Sequence, residues 1–450
     1  MNYKETFLSG WGGYPKAEVK LLRPESQVEL IDKIGDKKFF FISRGLGKSY
    51  GDASLNEKNY VVLNERLNHI LDFDEAGGII HAQAGVTLSE IISIFLPRGW
   101  FVPVTPGTKY VTLGGCIACD VHGKNHLQHG SFSKDVLGFN LLLADGTVEY
   151  CSRKKNATLF WATVGGMGLT GIILDVFLKL KPVQSGYIDV DNEPAKNIAH
   201  FIELMDRSAE DFEYTVGWVD CLATGKNLGR GIFMRGNHSK DGNFRPHSPA
   251  PLLNIPFDFP TFVLNKFNAW CFNQLYYLKG RITTGKMHQH YDPFFYPLDI
   301  VGGWNHLYGK RGFIQYQFVF PRQKAVEGIE ETLHTIARRG MGSFLSVIKD
   351  FGSKATKKAT LSFPEPGITF TLDFPNYGAG LHRLLWELDK IVIKYSGKTY
   401  LAKDCLLQAM DFRKMYSDFG KWFRVKLKYD PNFKFQSNLS RRLGILRPTK

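Results

Sequence analysis

At residues 106–125 the chain reads Pro106-Gly107-Thr108-Lys109-Tyr110-Val111-Thr112-Leu113-Gly114-Gly115-Cys116-Ile117-Ala118-Cys119-Asp120-Val121-His122-Gly123-Lys124-Asn125, within the stretch 105–171 around which the rest is organised. Glycines cluster here without the proline and serine excess of a flexible linker. Backbone N–H groups can therefore approach a bulky anionic ligand closely. We interpret the run as a cofactor cradle, and His122 and Lys124 at its end as groups that meet the bound ligand.

Length, charge and cysteine content set bounds on the whole chain. Its 450 residues suffice for two or three domains, because single hydrophobic cores stop growing at roughly 250–300 residues. A net charge of +14 favours phosphorylated substrates, an anionic membrane surface or nucleic acid as partners, although a solvated basic surface explains it equally well. Six cysteines are too few for a disulfide scaffold, and no signal peptide or transmembrane run is visible. We therefore expect a cytoplasmic protein.

Two further glycine clusters accompany the cradle. Gly47-Lys48-Ser49 imitates the end of a P-loop, but position 42 is isoleucine and no helix is predicted to follow. The cluster is instead a turn that donates N–H groups to a pyrophosphate, or a plain tight turn. The cluster at 165–171 resembles a dinucleotide fingerprint, yet residues 172–180 are rich in β-branched residues rather than helical, which argues against a Rossmann unit.

Hydrophobic periodicity predicts that the first part of the chain is one α+β domain ending near Pro182. Its elements are a helix at 24–35 with Val28, Leu30, Ile31 and Ile34 as apolar positions, strands at 39–42 and 79–83, a capping box at Thr87 and Glu90, and a hairpin of 139–144 and 147–151 joined by a two-residue turn.

The second half predicts a ferredoxin-like unit. Strands at 313–320, 344–350, 368–374 and 398–401 and helices at 323–339 and 381–395 give the order β-α-β-β-α-β, with both helices on one face of the sheet. The other face carries Gln315, Gln317, Thr369 and Thr371. By pattern, that face is either solvated or the floor of a substrate site.

Residues 249–300 appear irregular, proline-punctuated and rich in aromatic residues, with Lys266, Lys279, Arg281 and Lys286 among them. Such a segment suits a membrane headgroup region or a prenyl-phosphate tail, while a packed insertion fits equally. From residue 421 the chain holds nine Lys or Arg and one acid, which indicates a solvated basic end or one that docks on the first domain or on an anionic surface. The pair His288 and His290 has only Asp292 as a partner at ligand spacing, and Cys116 and Cys119 have no second cysteine pair, so we expect no metal site.

Motifs from nearly the whole chain together resemble the FAD-binding oxidoreductases of the vanillyl-alcohol oxidase superfamily, and within it the decaprenylphosphoryl-β-D-ribose 2-oxidase family. They are the segments 44–52, 99–103, 114–125, 160–166, 312–318, 343–352 and 400–404. The resemblance implies an α+β fold with a two-part FAD-binding domain of the PCMH type at 1–183, divided near 72. A ferredoxin-like α+β substrate domain with an antiparallel sheet would follow at 184–400, with a lid at 249–300, and the segment 401–450 would return to the FAD domain.

The resemblance also implies which residues hold FAD: Arg44, Gly45, Leu46, Gly47, Lys48, Ser49, Tyr50, Gly51, Asp52, Ala53, Gly107, Thr112, Leu113, Gly114, Gly115, Cys119, Asp120, Val121, His122, Ile172 and Tyr400. Related sugar oxidases often carry, in the first loop, a histidine that bonds covalently to the flavin. Lys48 stands at that place here, so we expect non-covalent FAD.

The activity implied is oxidation of a secondary sugar hydroxyl, the 2-hydroxyl of a polyprenyl-phosphoryl ribose, as the oxidising half of an epimerisation that serves cell-wall arabinan. Lys403 would be the leading catalytic residue, orienting the hydroxyl and stabilising the reduced flavin, and His122 the second, as proton acceptor or ring contact. The substrate pocket would contain Tyr50, Lys124, Gln315, Gln317, Lys349, Thr369 and Thr371. Thr371 replaces a cysteine of the family, so thiol-directed inactivation should not carry over.

The resemblance further implies an NAD(P)H-dependent reductase partner and peripheral membrane contact, with no nucleic acid. Two alternatives stay open on the sequence alone. A soluble polyol or aldonolactone oxidase of the same superfamily would act on free sugars, and a basic binding protein on the same fold would have lost catalysis.

Overall fold

Two sheets carry the first part of the chain in the computed structural model, which describes residues 3–35, 39–245, 253–260, 266–343, 345–353 and 358–446. The elements in this part are β1 Lys4–Ser9, β2 Lys16–Leu22, α1 Gln27–Ile34, β3 Phe41–Arg44, β4 Tyr60–Leu63, β5 Ile70–Asp74, β6 Ile79–Gln83, α2 Leu88–Phe95, β7 Trp100–Phe101, α3 Leu113–Ala118, β8 Val136–Leu142, β9 Val148–Ser152, α4 Ala157–Thr163, β10 Ile172–Lys179 and β11 Lys181–Pro182.

The two sheets follow one another along the chain. The first has the order β1-β2-β4-β3, with a parallel pairing of β2, β4 and β3, and the second has the antiparallel order β5-β6-β10-β8-β9. The predicted capping box is confirmed, because Thr87 accepts from the backbone of Glu90 and the Glu90 carboxylate accepts from the backbone of Thr87. The rejection of a helix after the 165–171 cluster is likewise confirmed, since β10 follows it.

Two local predictions in this part were wrong. Val28 is 69% exposed, because it lies about half a turn of α1 away from the buried residues Leu30 and Ile34. The hairpin turn between β8 and β9 has three residues rather than two, since the backbone of Leu143 donates to Thr147 across it. The last residue of a three-residue hairpin turn adopts the left-handed conformation, and Gly146 has a φ of +87° at that position.

An eight-stranded sheet dominates the second part, in the order β16-β12-β14-β13-β19-β20-β18-β21. The elements are β12 Tyr187–Ala195, α5 Ile198–Ser208, β13 Tyr214–Val219, β14 Gly231–His238, β15 Leu253–Asn254, α6 Lys266–Ile282, β16 Gly285–His290, α7 Tyr291–Phe295, β17 Val301–Gly302, β18 Phe313–Phe320, α8 Ala325–Arg338, β19 Ser346–Phe351, β20 Gly367–Pro375, α9 Ala379–Lys394 and β21 Lys398–Thr399.

Half of this sheet is the predicted ferredoxin-like unit. Its strands have the order β21-β18-β20-β19, with antiparallel pairing throughout. The helix α9 lies on the face of Tyr316, whose hydroxyl donates to Asp389 at 2.8 Å. Gln315 and Gln317 point to the opposite face and are only 5% and 3% exposed, so that face is not solvated.

The other half repeats the same plan, which the sequence analysis did not predict. β12, α5, β13, β14, α6 and β16 form another β-α-β-β-α-β unit, which we call the first ferredoxin-like unit because it precedes the predicted one in the chain, and the two units join edge to edge where β13 pairs with β19. The segment 249–300 is therefore not irregular in its described part, because α6 and β16 complete this unit. Residues 249–252 and 261–265 of that segment, Phe344 of the predicted strand 344–350, and the tail end 447–450 lie outside the described residues.

The C-terminal segment folds back on the first part through α10 Ala409–Met415, α11 Phe419–Tyr429 and α12 Asn438–Arg442. Trp422 Nε1 donates to the carbonyl of Ala162 at 2.9 Å, and Lys426 Nζ donates to that of Leu169 at 2.6 Å. Lys426 is thus used internally, whereas Lys421, Arg424 and Lys428 of the same helix are exposed. None of the helices in the described ranges has the length and hydrophobicity that crossing a bilayer requires.

Candidate active site

A cavity of about 1020 Å³ is lined by residues from both parts of the chain and from the C-terminal segment. This volume lies at the upper end of the roughly 300–1,000 Å³ usual for ligand pockets. Its lining has three regions: the glycine loops of the first part, a polar floor on the second ferredoxin-like unit, and an apolar branch on the first unit.

The glycine loops pack too closely to admit side chains. A Cβ atom on Gly45 would lie 2.3 Å from Oγ1 of Thr112, and one on Gly47 would lie 2.1 Å from the guanidinium of Arg44. Thr112 caps α3 by accepting from the backbone of Gly115 at 3.3 Å. The first loop is therefore fixed against the start of α3, with backbone rather than side chains facing the cavity.

Most residues predicted to hold the cofactor line this cavity. They are Arg44, Gly45, Leu46, Gly47, Lys48, Ser49, Tyr50, Ala53, Gly107, Thr112, Gly114, Gly115, Cys119, Val121, His122 and Tyr400. Lys403 and the substrate candidates Lys124, Gln315, Gln317, Lys349 and Thr371 line it too.

Six predicted residues do not line the cavity, because each is packed against or bonded to another part of the fold. Asp52 accepts from the Arg442 guanidinium at 2.8 and 3.0 Å, and Gly51 packs against the backbone of Asp404. Asp120 accepts from three serines. The remaining three are buried: Leu113 and Ile172 in apolar cores, and Thr369 against Gln317 and the carbonyl of Phe318.

The tautomer of His122 follows from a chain of hydrogen bonds. Thr369 Oγ1 donates to the carbonyl of Phe318 at 2.8 Å, so it accepts from Gln317 Nε2 at 3.1 Å. The same amide nitrogen lies 2.9 Å from Nε2 of His122 and donates to it. The proton of the neutral imidazole is thus assigned to Nδ1, and burial, assisted by nearby cations such as Lys349, lowers the pKa of His122 well below its usual range.

Nδ1 of His122 is buried and has no hydrogen-bond partner among the described residues. A buried donor left unpaired costs about 1–3 kcal/mol. The imidazole therefore presents a donor that a ligand can satisfy.

Lys403 lines the cavity close to the buried Asp373. Burial lowers the pKa of Lys403 to about 7, with Asp373 opposing that shift, and burial raises the pKa of Asp373 to about 7. The Lys403 Nζ lies 3.8 Å from the ring centroid of Tyr50. Gln315 Nε2 donates to Asp373 at 2.6 Å and fixes that carboxylate.

Two more lysines, each partly buried, line the cavity, Lys124 from the cradle and Lys349 from the floor. Burial, together with the charge of Lys349, lowers the pKa of Lys124 to about 7, and burial lowers that of Lys349 to about 8. Lys124 Nζ donates to the carbonyl of Phe295 at 3.2 Å. Since a buried cation without a carboxylate is costly, this floor is suited to an anionic ligand.

The apolar branch was missed by sequence reasoning. It is lined by Val216, Gly217, Trp218, Ile232, Met234, Tyr276 and Met287, all from the first ferredoxin-like unit. The rings of Trp218 and Tyr276 are in contact at a centroid distance of 4.6 Å, with their planes inclined by 53°. The apolar residues in 214–219 could have indicated a buried strand there, but nothing local places that strand beside the glycine loops.

The cysteines of the cradle are poor nucleophiles and ligands. Cys116 and Cys119 both line the cavity as free thiols. Burial raises the pKa of Cys116 well above its usual range and that of Cys119 to about 12, so both stay protonated. Within the described residues no group of three or more His, Cys, Asp or Glu side chains could hold a metal ion.

Comparison with known proteins finds two family models and relatives of very different extent. A model described as FAD binding domain matches residues 15–152, and one described as D-arabinono-1,4-lactone oxidase matches residues 368–443. A decaprenylphosphoryl-beta-D-ribose oxidase from Mycolicibacterium smegmatis is 37% identical over 453 residues, which cover 98% of this chain and 97% of the relative.

Two other relatives show how the similarity is distributed. An uncharacterised protein of Streptomyces coelicolor is 31% identical over 376 residues, 80% of this chain and 100% of its own length. An L-gulonolactone oxidase from Scyliorhinus torazame is 30% identical over 138 residues, 31% of each chain. The similarity to the Mycolicibacterium oxidase thus extends over both parts of the fold.

The residues of the cavity fit FAD, the cofactor of the matched domain. The glycine loops expose backbone without side-chain obstruction, and a Cβ on Gly107 would meet nothing within 4 Å. The unpaired Nδ1 of His122 offers a donor at the junction of the cradle with the floor. The cavity is also large enough to hold a second ligand beside the cofactor.

Proposed function

Because the chain belongs to the decaprenylphosphoryl-beta-D-ribose oxidase family of FAD-dependent oxidoreductases, we propose that it oxidises the 2-hydroxyl of a polyprenyl-phosphoryl ribose. One observation carries this proposal: a single cavity joins the glycine loops, a polar region with three partly buried lysines and an apolar branch. A sugar, a phosphate and a hydrocarbon chain each find a chemically matched region there.

In the proposed reaction the C–H and O–H bonds of the carbinol break and a carbonyl forms. Bound FAD supplies the hydride acceptor. Lys403 takes the hydroxyl proton in its neutral form, because a pKa of about 7 leaves much of this amine unprotonated near neutral pH. The ring of Tyr50 lies beneath Lys403 and would position its amine. Gln315 is held by its hydrogen bond to Asp373 and would position the sugar.

We assign His122 a positioning role rather than that of the base. Its Nε2 accepts from Gln317, and its pKa lies well below the usual range, so it does not hold a second proton near neutral pH. Nδ1–H is its available group, and it would donate to FAD or to the sugar.

The phosphate and the lipid are assigned to the remaining regions. Lys124 and Lys349 would bind the phosphodiester through charge-assisted hydrogen bonds. The prenyl chain would lie in the apolar branch, alongside Trp218 and Tyr276. Of the predicted substrate residues, Thr371 would contact the sugar from the floor, whereas Thr369 would act through Gln317.

FAD would be held without a covalent bond. Lys48 Nζ lies 3.3 Å from the centroid of the Trp11 ring, and burial lowers its pKa to about 8. The thiols near the cradle are protonated, and the Nε2 of His122 is occupied by Gln317. No described residue near the cradle is thus a free nucleophile poised to attack the flavin.

We further propose the wider setting of the enzyme. The keto sugar would pass to an NAD(P)H-dependent reductase that returns the hydride from the opposite face and so completes an epimerisation. The unpaired state of all six cysteines supports a cytoplasmic location. The chain would divide into an FAD-binding domain at 1–183, with two subdomains, a substrate domain at 184–400 and the returning segment 401–450.

Anaerobic titration of the purified protein tests the function. Polyprenyl-phosphoryl ribose should bleach the flavin band, and acid precipitation should release FAD into the supernatant. Bleaching by free polyols or aldonolactones but not by the lipid would instead favour the alternative that the match over residues 368–443 suggests.

A further inference from the structure

We propose that the outer face of α6 lies in the interface of an anionic lipid bilayer and anchors the enzyme there. This face carries six large apolar side chains that are 46–75% exposed: Phe267, Trp270, Phe272, Leu275, Leu278 and Ile282. At 100° per residue, all of them except Phe272 fall within an arc of about 140°. Exposed apolar groups normally occur singly, whereas a contiguous patch marks an interaction surface.

The polarity of α6 is inverted relative to a helix that faces water. Its buried side holds Ala269, Asn273 and Gly280 rather than large apolar residues. Asn273 Nδ2 donates to Asp220 at 2.9 Å, and Arg230 bridges Asp220 and Gln274. Polar contacts, together with Ala269 and the contact of Tyr276 with Trp218, thus hold the helix on the sheet, and the six exposed apolar side chains are not needed for that packing.

The charges around this face select its partner. Residues 266–290 contain no Asp or Glu, while Lys279, Arg281 and Lys286 are exposed within or just beyond the helix. A second copy of this basic face would bring like charges together. An anionic lipid surface complements the cations and solvates the aromatic and aliphatic side chains at the same depth.

The same helix also borders the active-site cavity. Tyr276, Lys279, Gly280 and Thr283 of this region line the apolar branch. Docking of the outer face would therefore place the branch next to the lipid phase from which a prenyl-phosphate substrate comes. Binding to vesicles is measured without substrate, so its failure would leave the proposed reaction untouched.

Co-sedimentation with phosphatidylcholine vesicles, with and without phosphatidylglycerol, tests the proposal on the FAD-loaded full chain. The wild type should bind the anionic vesicles, and salt should release it. The combined variant Trp270→Ser, Leu275→Ser and Ile282→Ser should lower the partition coefficient roughly 100-fold or more, since each side chain buried in lipid contributes at least about 1 kcal/mol.

A matched variant separates the face from general surface hydrophobicity. Phe7→Ser, Val28→Ser and Met410→Ser remove side chains that are 69–73% exposed on other elements, and this variant should bind vesicles like the wild type. Flavin content and thermal unfolding show that both variants are folded.

The electrostatic part has its own pair of variants. Arg281→Gln with Lys286→Gln should weaken binding to anionic vesicles about thirtyfold, at about 1 kcal/mol per charge. Lys154→Gln with Lys155→Gln, exposed on another face, should not. A wild type that ignores vesicles, a serine variant that binds as well as the wild type, or a wild type that instead dimerises through this face would overturn the proposal.

Discussion

Lys403 offers the most direct test of the proposed chemistry. Replacing Lys403 by Met removes the amine that would accept the substrate's proton, while Lys403→Arg keeps a cation that cannot act as a base near neutral pH. A positioned general base contributes about 10²–10⁴-fold to a proton transfer. In both variants the rate of flavin reduction should therefore fall by about that factor, while FAD stays bound.

The pH dependence of flavin reduction tests the same assignment. Burial lowers the pKa of Lys403 to about 7 while the neighbouring Asp373 opposes that shift, so the neutral fraction of the amine grows as the pH rises through this region. The rate constant of flavin reduction at saturating substrate should therefore rise between about pH 6 and about pH 8 in the wild type. Anaerobic stopped-flow absorbance measures it directly.

Lys48→Met is the control, because this residue also lines the cavity with a lowered pKa but is not the proposed base. This variant should keep the rise of the rate constant with pH. Lys403 is not the base if Lys403→Met reduces flavin at more than about a tenth of the wild-type rate, or if the rise of the rate constant with pH survives in that variant.

The remaining predictions concern binding, tautomer and stability. Lys349→Gln should raise KM for the phosphorylated substrate roughly 10- to 150-fold and leave KM for a sugar without phosphate nearly unchanged, in steady-state assays. Gln317→Leu should cost about 1–3 kcal/mol of unfolding free energy, and ¹⁵N NMR should show that His122 no longer holds one tautomer; an unchanged spectrum would contradict the assigned network. Arg442→Met should cost about 3–5 kcal/mol in urea unfolding by leaving buried Asp52 unpaired, whereas Arg442→Lys should cost less.

Several features of this protein could be predicted from short windows of sequence. The capping box at Thr87, the strands 313–320 and 79–83 and the strand after the third glycine cluster were all predicted from local pattern. Such features depend on backbone hydrogen bonds and side-chain alternation within a few residues, so the sequence encodes them locally.

The first ferredoxin-like unit, from β12 to β16, escaped prediction for a physical reason. Its helix α6 carries Phe272, Tyr276 and Tyr277 beside the outer apolar residues, so the contrast between an apolar and a polar face that identifies an amphipathic helix is weak in its sequence. Its last strand β16 carries Lys286, Met287, His288 and Gln289, with no apolar alternation. Only pairing with β12 identifies that segment as a strand.

Thus the sequence alone determined the local elements, the glycine loops and, through its motifs, the resemblance to a flavin oxidase family. Tertiary structure alone decided which of the predicted residues face the cavity and what their protonation states are. Gln317 and His122 are 195 positions apart, and the lowered pKa of Lys403 arises from burial by segments distant in the chain. Burial and charge proximity are sums over neighbours in space, and no window of sequence contains those neighbours.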